Sequence, residues 1–322
     1  MNRSLLRCLV LLSALMLAGC GSETADEKPQ VVTTIAMISD IASNVAGDCV
    51  EVTALMGPCV DPHLYEARAS DIKRLRNADA IMYAGFSLEG QMANVLDKLG
   101  SRKPSLAVGP ASFDESDLIS HKDYAIDPHL WMDVGRWSQT IPAITDQLVA
   151  IAPGCEAAMR ERASDYRNQL DALDGWIMES ITSIPEEQRI LVTAHDAFGY
   201  YGLAYNIEVK GIQGISTDSE AAIADIRNTV ELVVERGVPA IFVESTINPR
   251  TIKSVVDGAK ERGHEVRIGG ELFSDAMGEK GTAEGTYIGM LRSNTVGIVE
   301  GLGGQTAPWP EALSGWKQRW EP

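Results

Sequence analysis

CEAAMRERASDYRNQLDALDGWIMESITS, residues 155–183, is the stretch that decides the architecture. It holds no proline and one glycine, Gly175. Its apolar positions, Ala158, Met159, Tyr166, Leu170, Leu173, Ile177 and Ile181, recur mostly at spacings of three, four and seven. That spacing predicts a single amphipathic helix of about 29 residues, roughly 43 Å long at 1.5 Å per residue. Such a length exceeds that of an ordinary globular helix, so the segment is expected to connect two bodies rather than belong to one. Pro185 ends it.

Working outward, strand and helix patterns alternate on both sides. Before it come strand patterns at Val31–Ile35, Val50–Leu55, Ala80–Tyr83 and Ser105–Val108. Helix patterns separate them at Ile38–Ala46, from Ser70 through Leu75, and near Leu88–Leu99, and a further helix is expected over Trp137–Ile151. After it come strands at Ile190–Thr193, Ile207–Val209, Ala240–Val243 and Val266–Ile268, helices over 219–236 and 249–262, and a last helix from about Thr286. Strands separated by helix-length segments pair in parallel. The fold class is α/β: two lobes with mostly parallel sheets, joined by one long rigid helix, with a site in the cleft between them. The expected division is 1–19 signal peptide, 20–30 tether, 31–153 first lobe, 154–184 linking helix and 185–322 second lobe.

The N-terminus gives the compartment. Arg3 and Arg7 precede the apolar run Leu9–Leu17, and Leu17-Ala18-Gly19-Cys20 follows the pattern in which a bacterial Cys becomes a lipidated first residue. The polar Gly21–Pro29 stretch reads as a tether. The chain has 28 basic and 45 acidic residues, a net charge of −17, which argues against nucleic acid as a partner and leaves the membrane as a partner only through the lipid. With Cys8 in the signal and Cys20 lipidated, Cys49, Cys59 and Cys155 remain in an oxidising compartment. Cys49 opens a strand and Cys155 follows a helix, so both fall at the strand N-terminal rim, while Cys59 falls at the opposite rim. This favours a Cys49–Cys155 disulfide, with three free, partly buried thiols as the alternative.

In open α/β sheets, ligands bind beyond the carboxyl ends of strands. Three of the five histidines, His63, His129 and His195, fall at such ends, and Asp275 falls at a fourth. The tetrapeptide Asp-Pro-His-Leu occurs twice, at 61–64 and 127–130, and proline stiffens each turn. Three imidazoles and a carboxylate suit a borderline divalent cation. A ligating histidine usually donates its other ring N–H to a carboxylate. Glu244, at the end of a strand, is placed to do this for His195, a solvated strand-end carboxylate being an equal alternative. Asp61 and Asp127 are placed to brace the two turns, and Asp133 to cap the helix that follows. His121, in an acidic loop, and His264, in a turn, read as surface residues.

Four segments carry a family resemblance: Gly57-Pro58-Cys59-Val60-Asp61-Pro62-His63-Leu64-Tyr65, Asp127-Pro128-His129-Leu130-Trp131-Met132-Asp133, Val192-Thr193-Ala194-His195-Asp196-Ala197-Phe198-Gly199-Tyr200 and Leu272-Phe273-Ser274-Asp275-Ala276-Met277. The chain resembles the metal-binding lipoproteins of bacterial manganese/zinc ABC importers, the TroA-type cluster of substrate-binding proteins. The resemblance runs from Val31 to about Gly304. It implies His63, His129, His195 and Asp275 as ligands of one Mn2+ or Zn2+, the same set the strand ends select. It also implies an ABC permease and ATPase as partners, an extracytoplasmic, lipid-anchored location, and no enzymatic activity; the protein is expected to be a monomer. Cys59 departs from the small residue expected there and is read as packed, with a fifth soft donor or a redox liability as the alternatives. The loop Phe113–Ile126 holds only His121, so a histidine-rich zinc-collecting loop is absent, while His195 stands where manganese-dedicated relatives often carry Glu. Metal identity therefore stays open. The competing function is a secreted zinc hydrolase using three His with Asp275 as base, although the chain lacks His-Glu-x-x-His, Gly-x-Ser-x-Gly and a phosphate loop. A surface adhesin of the same fold is a further alternative.

Overall fold

The two central strands of the first sheet are short, apolar and buried, the signature of parallel pairing under helical layers, while its edge strands are only half-buried. Strands β1 (Gln30–Thr33), β2 (Glu51–Ala54), β3 (Ala80–Tyr83) and β4 (Ser105–Ala107) run parallel in the order β2-β1-β3-β4. Val31 pairs with Val52 on one side and Ala80 on the other, and Met82 pairs with Leu106. The structure, a computed structural model, describes residues 28–121 and 125–321. The signal sequence, Cys20 and the tether up to residue 27 lie outside the described residues.

The second lobe repeats the plan. Strand β7 (Ile190–His195) pairs in parallel with β8 (Glu208–Gln213), and β9 (Ala240–Glu244) with β10 (Arg267–Leu272). β7 lies beside β9, where the His195 amide donates to the Glu244 side chain at 2.9 Å. The spatial order is therefore β8-β7-β9-β10, the counterpart of β2-β1-β3-β4. In both lobes the order reverses at the strand pair in the middle, and the crevice at such a reversal opens beyond the strands' carboxyl ends. A short antiparallel hairpin, β5 (Ser120–His121) with β6 (Ala125–Ile126), leads into Asp127.

Between the lobes runs one helix of 27 residues, Glu156–Thr182, about 40 Å long. Met159, Ala163, Tyr166, Leu170, Leu173, Ile177 and Ile181 form its buried stripe, joined by Trp176. Trp176 falls off the main stripe but donates its indole N–H to the Ala307 carbonyl at 2.9 Å. The stripe packs on first-lobe helices Ala36–Ala46 and Ile141–Ile151 and on second-lobe helix Tyr287–Gly301. One continuous apolar core runs from Val31 through this helix to Trp316, while a smaller core around Ile241 and Val255 belongs to the second lobe alone. A shared core of that extent resists wholesale separation of the lobes.

Four local expectations are corrected. The helix expected over Trp137–Ile151 is two helices, Val134–Ser138 and Ile141–Ile151. Pro142 lies in the first turn of the second, where its missing N–H has no partner to lose. The helix containing Leu75 starts at Ala69, one residue ahead of Ser70, and the Asp71 carboxylate accepts the Arg68 amide at 2.9 Å. The helix expected from 219 begins at Ile223. Ahead of it Gln213 Nε2 donates to the carbonyls of Thr217 and Ser219 and holds a loop instead. Cys59 is exposed rather than packed, in a turn where its own φ is +58°. Cys49 and Cys155 are disulfide-bonded, with their Cα atoms 6.4 Å apart.

Candidate metal centre

Each of the four loops that enter the cleft is set by local chemistry. In Asp61-Pro62-His63 the Asp61 Oδ1 accepts the His63 amide at 2.8 Å, and in Asp127-Pro128-His129 the Asp127 Oδ1 accepts the His129 amide at 3.0 Å. Both are Asx turns, in which a short carboxylate bonds the backbone two residues on. His195 is the last residue of β7 and is placed by the ladder itself. Gly211 on the neighbouring strand lets the chain after His195 pass closely: a Cβ there would fall 2.6 Å from the Asp196 backbone. Asp275 follows β10, and the backbone on its N-terminal side is held by Asn294, whose amide oxygen accepts from Phe273 N and whose Nδ2 donates to Phe273 O.

These loops bring His63, His129, His195 and Asp275 together, with one potential ligand atom from each inside a 4.8 Å span. His63 Nε2 lies 3.3 Å from His129 Nε2. Asp275 Oδ1 lies 3.3 Å from His129 Nε2, and Asp275 Oδ2 lies 3.3 Å from His195 Nε2 and 3.9 Å from His63 Nε2. None of the four is more than 3% exposed. His195 Nε2 and both Asp275 oxygens are buried without a hydrogen bond. Buried polar atoms without a hydrogen bond are costly, and a ring nitrogen and two carboxylate oxygens facing one small volume are suited to hold a cation.

Carboxylates behind the imidazoles fix their tautomers. Asp127 Oδ1 lies 2.8 Å from His129 Nδ1, and Glu244 Oε2 is hydrogen-bonded to His195 Nδ1. A ring that donates from Nδ1 presents its Nε2 lone pair to the cleft. Burial resists charge on His129, but Asp127 and Asp275 outweigh it and hold the imidazole at about 9. His195 is likewise raised well above the ordinary range, because Glu244 and Asp275 overcome its burial. At His63 burial prevails, despite Asp275, and the pKa falls to about 4. Burial alone would raise Asp275, yet His195 and His129 keep it well below the usual carboxylate range. Protons on two rings thus supply, in the metal-free site, the positive charge that a cation would bring.

The remaining sequence candidates fall elsewhere. Asp133 caps the helix Val134–Ser138 through the Arg136 amide at 2.9 Å. His264 faces the Val238 carbonyl at 2.9 Å, and neither it nor His121 joins the cluster. Three contributors were not singled out from sequence. Trp131 stands edge-on to His129 with ring centroids 5.3 Å apart, and its Nε1 donates to Ser274 O across the cleft. Tyr200 donates to the Asp127 carbonyl at 3.0 Å. Both lie inside the quoted motifs, where an aromatic beside a candidate ligand was the available signal. Thr217, whose Oγ1 donates to Asp61 Oδ2 at 2.6 Å, had no such signal.

Comparison with known proteins agrees with this geometry. A family profile described as the periplasmic zinc-uptake complex component A matches residues 31–301. The manganese-binding lipoprotein MntA of Bacillus subtilis is 44% identical over 301 residues, covering 92% of this chain and 98% of that protein. The zinc-binding protein TroA of Treponema pallidum is 45% identical over 284 residues, 88% of this chain and 92% of that protein. The solved structure of periplasmic TroA superposes with a TM-score of 0.83 at 46% identity, covering 86% of this chain and 99% of that one. Matching the profile over most of its length, the chain belongs to the family of periplasmic zinc-uptake component A proteins.

Proposed function

We propose that this protein is the extracytoplasmic capture component of an ABC importer, taking up one Mn2+ or Zn2+ per chain and passing it to a membrane permease powered by an ATPase. His63, His129 and His195 are the nitrogen ligands in this reading, and Asp275 supplies one or two oxygens. The observation that carries it is the convergence of three imidazoles and a carboxylate, all buried, on one volume within a 4.8 Å span. Asp127 and Glu244 orient two of the rings, and Asp61 holds the third turn. The relatives' names include both manganese and zinc, so the family does not select between them. For such a set affinity rises from Mn to Zn, and use in the cell then follows supply.

The family is one of transport components, and the chain is not an enzyme; the hydrolase alternative is set aside. The same reading removes residues 1–19, anchors a monomer by lipid on Cys20, and divides the remainder into tether 20–30, lobes 31–153 and 185–322 and linking helix 154–184. The disulfide Cys49–Cys155 suits an oxidising compartment.

Metal titration of the metal-stripped protein, followed by thermal melting, tests the reading. An ion present at about 1,000 times its dissociation constant adds roughly 4 kcal/mol to folded-state stability. One ion per chain with a large rise in melting temperature is expected for wild type, and its loss for His195→Ala. No rise with either Zn2+ or Mn2+ would refute it.

A further inference from the structure

The two lobes are tied together outside the four candidate ligands at a point two residues from His63. Thr217 Oγ1, in the second lobe, donates to Asp61 Oδ2 in the first at 2.6 Å, while Asp61 Oδ1 accepts the His63 amide. Thr217 is 8% exposed and Asp61 half-buried, so the bond lies at the rim of the cleft. Its loop is not free to drift: Gln213 Nε2 donates to Thr217 O at 3.0 Å and to Ser219 O at 2.6 Å. Gln213 in turn is the ladder partner of His195 on β7. A chain of contacts therefore runs His63, Asp61, Thr217, Gln213, His195, joining a candidate ligand of one lobe to one of the other without passing through the metal.

The side of the cleft around His129 is closed differently. There Trp131 Nε1 donates to Ser274 O at 2.8 Å, Tyr287 Oη to Trp131 O at 2.6 Å, and Tyr200 Oη to Asp127 O, while Val134 N donates to Tyr205 Oη at 3.2 Å. All these groups are at or near full burial. Such a cluster of aromatic hydrogen bonds is unsuited to repeated opening, whereas one hydroxyl–carboxylate bond at the rim can break and re-form. Leu64, next to His63, is 50% exposed, while His63 itself is 3% exposed.

We propose that the Asp61–Thr217 hydrogen bond is a clasp that holds the His63 side of the cleft shut and slows release of bound metal. The inference rests on the metal-binding reading above. Thr217 acts through Asp61 and the His63 turn, as a positioning residue that never touches the ion. A charge-assisted bond of this kind, when lost, changes an equilibrium by about tenfold or more.

Zn2+-loaded wild type, Thr217→Val and Thr217→Ser proteins, mixed with excess chelator, would report the release rate directly. Thr217→Val keeps the shape and removes the hydroxyl; we expect release about tenfold faster and an association rate near that of wild type. Thr217→Ser restores the hydroxyl and should restore slow release. Release from Thr217→Val at the wild-type rate would overturn the clasp while leaving metal binding intact. Equal acceleration in Thr217→Ser would also overturn it, since the bond would then not be the cause. Failure of the wild type to hold Zn2+ at all would remove the metal-binding reading and the clasp together.

Discussion

The tetrapeptide Asp-Pro-His-Leu at 61–64 and its copy at 127–130 fold into the same turn and then diverge. In both, the aspartate accepts the histidine amide two residues on. Asp127 uses the same oxygen to reach the His129 ring, whereas Asp61 turns its second oxygen across the cleft to Thr217. Leu130 is 2% exposed and Leu64 50%. The two rings differ in proton affinity as well: burial drives His63 down to about 4, while at His129 Asp127 outweighs burial and holds the ring up at about 9. Local sequence sets the turn; the surrounding lobes decide which partners its aspartate meets.

The sharpest way to break this comparison is to remove each ring. His63→Ala and His129→Ala should both abolish most Zn2+ affinity, by more than the roughly 10–100-fold typical of losing an outer partner of a ligand. Titration calorimetry would show it, and a mild effect at either position would mean that the two turns do not share one ion. Next in size is Asp127→Asn, which keeps an acceptor for the backbone amide but withdraws the charge behind the ring. About 10–100-fold weaker binding is expected, against a smaller loss for Asp61→Asn.

The pH dependence follows from the same contrast. Metal must displace the protons held by His129, up to about 9, and by His195. Below those values the proton-bound site is favoured, so affinity falls as pH is lowered from about 9 and rises as it is increased. His63, at about 4, carries no proton to displace near neutrality. Dissociation constants measured between pH 6 and 9 should steepen with the number of protons released, and Asp127→Asn should flatten the curve. A flat wild-type profile would contradict the assignment. Smallest of all, His264→Ala should leave affinity unchanged, because its ring faces the Val238 carbonyl and lies outside the cluster.

What the sequence made legible was whatever rests on short-range pattern. The alternation of strands and helices, the long uninterrupted stripe from Met159 to Ile181, and the position of His195 at a strand end all follow from periodicity and punctuation. His63, His129 and Asp275 are legible for the same reason, since a strand must end before a loop can enter the cleft. Thr217 was not: a run of Ser, Thr, Asp and Glu ahead of Ile223 extends a helical pattern as easily as it forms a loop, and the decision is made by Gln213, a residue on a different element. Trp131 and Tyr200 were visible inside motifs, but their hydrogen bonds to Ser274 and Asp127 depend on how the lobes meet. The exposure of Cys59 reflects a turn with positive φ that Gly57-Pro58 announces, but a cysteine, unlike glycine, gives no sign of that φ.

X-ray absorption at the zinc edge of the Zn2+-loaded protein tests the central claim most directly, because it counts donors by type around the bound ion. The account predicts three imidazole nitrogens at about 2.0–2.1 Å and one or two carboxylate oxygens, with no sulfur. A sulfur shell at about 2.3 Å, bringing in Cys59, or fewer than three imidazoles, would contradict it.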